Sequence, residues 1–233
     1  MSNFPALGLG DFGILCKMKK TYVSFSGYGV DVSSQRADDL DKLCREHLTA
    51  KSSSRVLDLG AGAGGLSVRL AAAGAEVIAV DSYDFGRVFH QLRIKNHFQE
   101  TQLQFVCEDV TSAPAGWMPD GITDVVVQRT IHYIRYAEAL RLLSFLYQAV
   151  TDKLFISVTG MDSVVGAEYA GRAVVMKDRF FSLAPEQVQT FSISQPVCLY
   201  TKAEFITLLE TSGWKVEDCW ESAFGNIKAV CSH

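Results

Sequence analysis

The stretch RVLDLGAGAGGLSVRLAAAGAEVIAVDS, residues 55–82, places a glycine cluster and two aspartates where proteins often hold a nucleotide-containing cofactor. It predicts an apolar strand, a glycine-rich turn, a helix and a second strand that ends at Asp81. Three glycines fit the dinucleotide pattern G-x-G-x-x-G: Gly60, Gly62 and Gly65. An overlapping set fits the pattern D-x-G-x-G-x-G: Asp58, Gly60, Gly62 and Gly64. The spacing by itself leaves the kind of cofactor open.

The carboxylate of Asp58 distinguishes between two kinds of cofactor. A dinucleotide would place a negatively charged pyrophosphate beside it, and the two groups would repel each other. A cofactor with ammonium and sulfonium groups would instead be attracted. The dehydrogenase pair Y-x-x-x-K is absent from the sequence, and 233 residues leave no room for a separate substrate domain. These observations favour a cationic cofactor.

Helical and strand periodicities alternate after residue 33, which predicts one α/β domain with a doubly wound, mostly parallel sheet. Apolar runs predict five parallel strands: 56–59, 76–81, 103–109, 123–130 and 153–160. Two further strands, 215–222 and 226–232, are separated by only three residues and must be antiparallel. The sequence therefore predicts a seven-stranded sheet that ends in an antiparallel hairpin.

Two segments fall outside this regular pattern. Residues 1–33 precede the domain assigned to 34–233 and are interpreted as an N-terminal segment and candidate lid. Residues 161–200 form an insertion after the fifth strand that is longer than ordinary connections, and we interpret it as a substrate cap. The first predicted helix, 33–48, is expected to begin at its two leading serines.

Composition narrows the range of functions. The net charge is -4 and the isoelectric point lies near 5.7, which argues against broad binding to nucleic-acid phosphates. The six cysteines are scattered without a C-x-x-C pair, which indicates reduced thiols in the cytoplasm. Residues 1–17 have neither the length of a membrane span nor the basic start of a secretory signal. We therefore expect a cytoplasmic protein without a membrane or nucleic-acid partner, and the oligomeric state is left open.

Four motifs follow successive predicted strands: LDLGAGAG, VDS, CEDV and DVVVQRTIHYI. Together with the predicted sheet they resemble the class I S-adenosylmethionine (SAM)-dependent methyltransferases, over about residues 34–233. The resemblance implies SAM as the cofactor, bound at the carboxyl ends of the strands, where ligands lie in open α/β sheets. The N/D-P-P-Y motif of DNA- and protein-amide-modifying members is replaced by QRTIHY. This difference argues against adenine, cytosine and glutamine side-chain nitrogens as acceptors.

The resemblance also implies roles for residues at the strand ends. Asp58 matches the residue that binds the methionyl ammonium, and Asp81 matches the acid that accepts both ribose hydroxyls. Asp109 matches the acceptor for the adenine amino group, with the Val110 N–H at the adenine ring. Glu108 takes the role of Asp109 if the third strand is one residue shorter. The expected cofactor-binding residues are Asp58, Gly60, Gly62, Gly64, Asp81, Ser82, Glu108, Asp109, Val110 and Gln128.

Candidate catalytic residues lie in the loops after the fourth and fifth strands. His132 lies where many small-molecule members carry a histidine, and an imidazole accepts a proton near neutral pH. The alternative is a histidine that only orders its loop. Asp162 is the second candidate base, and Gln128 and Arg129 are expected to line the floor near the methyl group. A metal-dependent site would need several acids and an asparagine here, so we expect no metal.

Acceptor selection is expected to depend on the two irregular segments. Their aromatic and basic side chains are candidates for contacts with an acidic or aromatic acceptor, and packing or ordinary surface charge is the competing explanation. These residues are Tyr22, Phe25, Tyr28, Arg36, Tyr169, Arg172, Lys177, Arg179, Phe180 and Phe181. The sequence thus predicts a metal-independent, SAM-dependent methyltransferase of a small molecule. A protein or RNA methyltransferase is one alternative, and a SAM-binding sensor or partner protein without turnover is the other.

Overall fold

The computed structural model describes residues 27–34, 36–111, 116 and 118–233. Its centre is a seven-stranded sheet with the strand order β3-β2-β1-β4-β5-β7-β6. The strands are β1 (Arg55–Leu59), β2 (Glu76–Asp81), β3 (Leu103–Cys107), β4 (Asp124–Gln128), β5 (Leu154–Thr159), β6 (Lys215–Glu221) and β7 (Asn226–Ser232). Strands β1 to β5 are parallel, whereas β7 is antiparallel to both β5 and β6. The predicted sheet and its terminal hairpin are confirmed.

Helices cover both faces of the sheet, because its central strands are apolar on both sides. The helices are α1 (Asp39–Thr49), α2 (Gly65–Ala72), α3 (Gly86–Asn96), α4 (Tyr136–Ala149), α5 (Pro185–Phe191) and α6 (Lys202–Thr211). Leu40, Leu70 and Phe89 from α1, α2 and α3 belong to one buried cluster. Leu142 of α4 and Phe205 of α6 belong to the cluster on the opposite face. The doubly wound arrangement therefore rests on two apolar cores.

Three predicted boundaries are wrong by two residues or more, each for a local reason. Strand β4 ends at Gln128 rather than at residue 130, because Arg129 has a left-handed φ of 52°. Helix α1 begins at Asp39 because Asp38 is its N-cap, and the Asp38 carboxylate accepts a hydrogen bond from the Asp41 N–H at 3.0 Å. Strand β3 ends at Cys107, two residues earlier than predicted. Its neighbour β2 ends at Asp81, which pairs with Cys107, so no β2 residue remains to pair further along the chain.

The insertion 161–200 is built from short turns and one helix. It contains the 3₁₀ turns Val164–Gly166, Ala170–Ala173 and Met176–Asp178 as well as α5. Its interior is a small apolar cluster of Met161, Tyr169, Leu183, Ile193, Val197 and Leu199. The insertion is therefore a packed layer with a core of its own. Among the residues that the structure describes, no helix combines the length and apolar character needed to cross a membrane.

Candidate cofactor site and active site

The glycine turn between β1 and α2 requires glycine at alternate positions. Gly60, Gly62 and Gly64 have φ angles of 70°, 54° and 80°, in the left-handed region that side chains disfavour. A Cβ on Gly60 would lie 2.0 Å from the Thr130 Oγ1, so this position also requires close approach. Gly65, by contrast, is the first residue of α2. The left-handed φ thus falls on the glycines of the D-x-G-x-G-x-G spacing, whereas Gly65 is required by close approach, since a Cβ there would lie 2.3 Å from the Ser33 carbonyl oxygen.

Three aspartates surround this turn. Asp81, at the end of β2, accepts hydrogen bonds from the Gly62 N–H and the Tyr83 N–H, both at 2.9 Å. Asp58, in β1, is 2 % exposed and accepts a hydrogen bond from the Ser67 hydroxyl at 2.6 Å. The third aspartate, Asp31, accepts a hydrogen bond from the Ala63 N–H at 3.2 Å. The turn is therefore a strongly acidic cradle made of residues far apart in the sequence.

The charges of this cradle fit a cationic ligand. Burial raises the pKa of Asp58 to about 7, against the opposing effect of the Ser67 hydrogen bond. Burial also raises the pKa of Asp81, and the neighbouring Asp31 charge adds to this rise. A pyrophosphate at this turn would meet three carboxylates, whereas an ammonium group would relieve their mutual repulsion. The donor set therefore fits SAM and opposes a dinucleotide.

Sequence reasoning missed Asp31. Its carboxylate also accepts hydrogen bonds from the Ser33 hydroxyl at 2.7 Å and the Ser34 N–H at 3.1 Å. An aspartate followed by serines favours such a turn, so the sequence could have predicted the local turn at Asp31. The contact between Asp31 and Ala63 could not be predicted from local sequence, because the two residues are 32 positions apart.

Gln128 lies at the end of β4, but its side chain is directed toward α1. Its amide donates a hydrogen bond to the carboxylate of Asp41, which also receives the guanidinium of Arg69. Burial raises the pKa of Asp41, and the Arg69 charge opposes that rise. Gln128 therefore belongs to a network beneath the glycine turn. The contact between Gln128 and the cofactor stays a prediction. The orientation of its side chain toward Asp41 does not favour it.

The end of β3 carries the two acids considered for adenine. Asp109 accepts hydrogen bonds from the N–H and hydroxyl of Thr111, both at 2.8 Å. The Glu108 N–H donates to the Asp81 carbonyl at 2.9 Å, and its exposed carboxylate has no hydrogen bond or ion pair within the described ranges. Strand β3 ends two residues earlier than predicted, so Glu108 is the first residue after it, and the choice between Glu108 and Asp109 stays a prediction. Val110, which follows, is buried.

His132 lies in a 3₁₀ turn, Ile131–Tyr133, directly after β4. Its ring is 1 % exposed, and its nitrogens lie 3.5 Å from the N–H and the hydroxyl of Thr159. Burial, with a further contribution from the Arg129 charge, lowers the pKa of His132 to about 3. The imidazole is therefore neutral at physiological pH and a weak base in this environment.

The other candidates for acceptor chemistry have partners within the protein. Asp162 pairs with Arg172 at 2.7 Å, and the Asp162 side chain is 71 % exposed. The buried Arg179 contacts both carboxylate oxygens of Glu204 at 2.8 Å and donates to backbone carbonyls of the insertion. Arg36 lies over the Phe224 ring at 5.5 Å. Arg179 thus stabilises the insertion through contacts within the protein. Two further candidates, Tyr22 and Phe25, lie outside the described residues.

Residues 27–34 connect the insertion to the glycine turn. The Gly29 N–H donates to the Ser192 carbonyl at 3.0 Å, and the Ser194 N–H donates to the Gly27 carbonyl at 2.9 Å. The Tyr133 hydroxyl donates to the Tyr28 carbonyl at 2.7 Å. With the Asp31 contact to Ala63, this segment crosses from the insertion past the β4 loop to the cofactor turn.

The described residues bring together one group with metal-ligand chemistry: His47, Asp124 and Asp152. Asp124 is the first residue of β4, so the group lies at the amino ends of the parallel strands, whereas the glycine turn lies at their carboxyl ends. The Lys51 ammonium lies 2.7 Å from Asp124 and 2.9 Å from Asp152. The lysine therefore already neutralises these carboxylates in a structural network.

Comparisons with known proteins agree with this geometry. Residues 56–153 match the family model described as a methyltransferase domain, and no curated protein matches the chain. A Burkholderia thailandensis 1,6-didemethyltoxoflavin-N1-methyltransferase with bound S-adenosylhomocysteine is 15% identical. The match has a TM-score of 0.62 and covers 99% of this chain and 92% of that one.

Two other solved structures extend the comparison. Magnesium protoporphyrin IX methyltransferase (ChlM) from Synechocystis PCC 6803, also with bound S-adenosylhomocysteine, is 15% identical with a TM-score of 0.59. That match covers 83% of this chain and 81% of ChlM. The pyocyanin biosynthetic protein PhzM is 17% identical with a TM-score of 0.53, and 77% of this chain spans only 50% of its length. At these identities the likeness establishes the fold. Residues 56–153, less than half of the chain, thus match a methyltransferase domain, and the whole sheet has the fold of methyltransferases solved with bound S-adenosylhomocysteine.

Proposed function

We propose that the protein transfers a methyl group from SAM to a small-molecule acceptor without a metal. The observation that carries this proposal is the set of hydrogen bonds by which residues 27–34 join the insertion to the glycine turn, across the edge where the cofactor is proposed to bind. A peptide or RNA strand would need an open groove at this edge. Two of the structural neighbours are named for small molecules, 1,6-didemethyltoxoflavin and magnesium protoporphyrin IX, which adds support.

We assign the cofactor contacts to the acidic cradle and the strand ends. In this proposal Asp58 binds the methionyl ammonium, and Asp81 accepts the ribose hydroxyls with the lone pairs that Gly62 and Tyr83 leave available. Glu108, the first residue after β3, takes the adenine amino group; Asp109, which accepts both Thr111 hydrogen bonds through one oxygen, is the alternative acceptor. The proposed cofactor set further includes Gly60, Gly62, Gly64, Ser82 and the Val110 N–H.

Bound SAM supplies a methyl group activated by its sulfonium. The protein's own contribution is to align the acceptor, exclude water and accept a proton where the acceptor has one. We assign the alignment of the acceptor and the exclusion of water to residues 27–34 and the insertion 161–200. His132 and Asp162 stay the candidate bases, but His132 is buried with a low pKa and Asp162 is paired with Arg172. These properties support acceptors that are already deprotonated or carry a lone pair, for which alignment suffices.

Incubation of the protein with methyl-labelled SAM and fractionated cell extract tests this function. We expect label in the small-molecule fraction, unchanged turnover with a chelator, and no label with the Asp81→Ala variant. Label in the protein or RNA fraction would contradict the proposal in favour of a macromolecular acceptor. SAM binding without any labelled product, across extracts from several growth conditions, would favour a sensor or partner protein.

The buried ring of His132 leads to a prediction about its role. His132→Asn is expected to lower the melting temperature and to keep turnover per folded molecule within about tenfold, because a neutral buried ring orders the loop. The pH profile of kcat should also lack an inflection from this group between about pH 5 and 8. A loss of roughly a hundredfold or more in a variant that folds normally would instead identify His132 as the base.

A further inference from the structure

Arg129 follows β4 in a backbone conformation that arginine rarely adopts. Its φ angle is 52°, and its N–H donates to the Ser157 carbonyl at 2.8 Å and lies 3.2 Å from the Ser157 hydroxyl. Non-glycine residues in this region of backbone space cluster at ligand-binding and active sites, because the surrounding structure must hold the strain. Here β5 holds the residue at the carboxyl edge of the sheet, next to the strand that carries the glycine turn.

Arg129 is half-buried, and its guanidinium has no hydrogen bond or ion pair in the described part of the chain. The other described arginines that are buried or half-buried each donate to a carboxylate or carbonyl: Arg55, Arg69, Arg93 and Arg179. Withdrawing a cation from water without an anion is unfavourable. No group in the described part of the protein therefore supplies the anion with which the Arg129 guanidinium would be expected to pair.

The charge of Arg129 acts on the acceptor side of the site. It lowers the pKa of His132 in addition to the effect of burial, and it opposes the burial-driven rise in the pKa of Tyr133. Both residues belong to the turn after β4, and Tyr133 contacts the enclosing segment through the Tyr28 carbonyl. The carboxylates of Asp31, Asp58 and Asp81 form no ion pair with Arg129, so the cation and the acidic cradle are separate features.

We propose that Arg129 binds an anionic group of the acceptor, which makes the substrate a small molecule with a carboxylate or a similar oxyanion. This inference rests on the proposed function and deepens it. A planar guanidinium pairs with a carboxylate through two parallel hydrogen bonds, which fixes orientation as well as position. In the transfer, the acceptor atom bonds to the methyl carbon as the carbon–sulfur bond breaks and its electron pair goes to sulfur. Arg129 takes no part in that exchange and acts as a specificity-determining residue.

Matched acids and amides test this proposal in the presence of saturating S-adenosylhomocysteine. The probes are salicylate with salicylamide, 4-hydroxybenzoate with 4-hydroxybenzamide, and lactate with lactamide, with binding measured by ligand-observed NMR. We expect at least one acid to bind about tenfold more tightly than its amide to the natural protein. Arg129→Gln should abolish this preference and Arg129→Lys should keep part of it. Arg45→Gln, at an exposed arginine of α1, is the matched control and should keep it fully.

Calorimetry with S-adenosylhomocysteine alone separates the two sources of a carboxylate. If Arg129→Gln weakens this binding by about tenfold or more, the arginine binds the cofactor's own carboxylate and the proposal is wrong. Equal behaviour of acid and amide in every pair, including no binding by either, also overturns it. An uncharged small molecule as the labelled product would overturn this inference and leave the proposed function intact. Label in protein or RNA would contradict the proposed function itself.

Discussion

Replacing Asp81 by alanine is expected to weaken binding of S-adenosylhomocysteine by about a hundredfold or more. The carboxylate is proposed to accept two ribose hydroxyls, and each hydrogen bond to a charged group contributes about 1.5–3 kcal/mol. The variant also removes the acceptor of the Gly62 N–H, which helps to fix the glycine turn. Titration calorimetry on the natural protein and the variant measures the change directly, and a melting curve establishes that the variant is folded.

Asp84→Ala is the matched control for this experiment. Asp84 lies three positions further along the chain, is exposed, and among the described residues accepts a hydrogen bond only from the nearby Gly86 N–H at 2.8 Å. We expect a change of less than about threefold in affinity for this variant. Equal losses in the two variants, or a loss below about fivefold in Asp81→Ala, would show that the ribose is bound elsewhere. NAD is expected to bind neither protein, since its pyrophosphate would face the acidic cradle.

Local sequence patterns predicted the sheet because each parallel strand is an apolar run covered on both faces. The hairpin of β6 and β7 followed from its short connection, and the N-cap of α6 followed from Thr201 and Glu204, whose capping box is present. The glycine turn was predictable as well, since the pattern alone restricted the backbone. The end of β3 was misplaced because it depends on where β2 stops pairing, and the end of β4 was misplaced because Arg129 leaves the extended conformation.

The parts of the site that sequence reasoning missed depend on contacts between distant residues. Asp31 reaches Ala63, and Arg179 reaches Glu204 across 25 positions, so no local spacing indicates either pair. The position of Gln128 at the end of β4 predicts a contact with the cofactor, and this stays a prediction, but its side-chain amide donates to Asp41 in the structure. Candidate residues at strand ends are therefore predictable as positions, whereas the direction of each side chain depends on packing.

Affinity for S-adenosylhomocysteine is expected to rise with pH up to about 7, because the proposed partner of its ammonium group is the ionised form of Asp58. Burial raises the pKa of Asp58 from 3.8 to about 7, so the carboxyl is mostly protonated at pH 6 before the ligand binds. Binding should then release a proton, and affinity should fall by about tenfold per pH unit below the pKa. The same shift means that Asp58 favours folding at low pH, and this contribution is lost as the pH rises from about 4 to 7.

Calorimetry between about pH 5.5 and 8, in buffers with different ionisation enthalpies, measures both the affinity and the number of protons released. Asp58→Asn keeps the shape of the side chain and its contact with Ser67 but cannot ionise. Natural protein and variant should therefore bind with similar affinity near pH 5.5 and diverge as the pH rises, with no proton release from the variant. Asp41 lies close to Asp58 and is itself buried, but Arg69 and Gln128 already neutralise or bind its carboxylate, and both proteins retain it. A ratio of affinities that stays constant across this pH range would mean that the ammonium group does not contact Asp58.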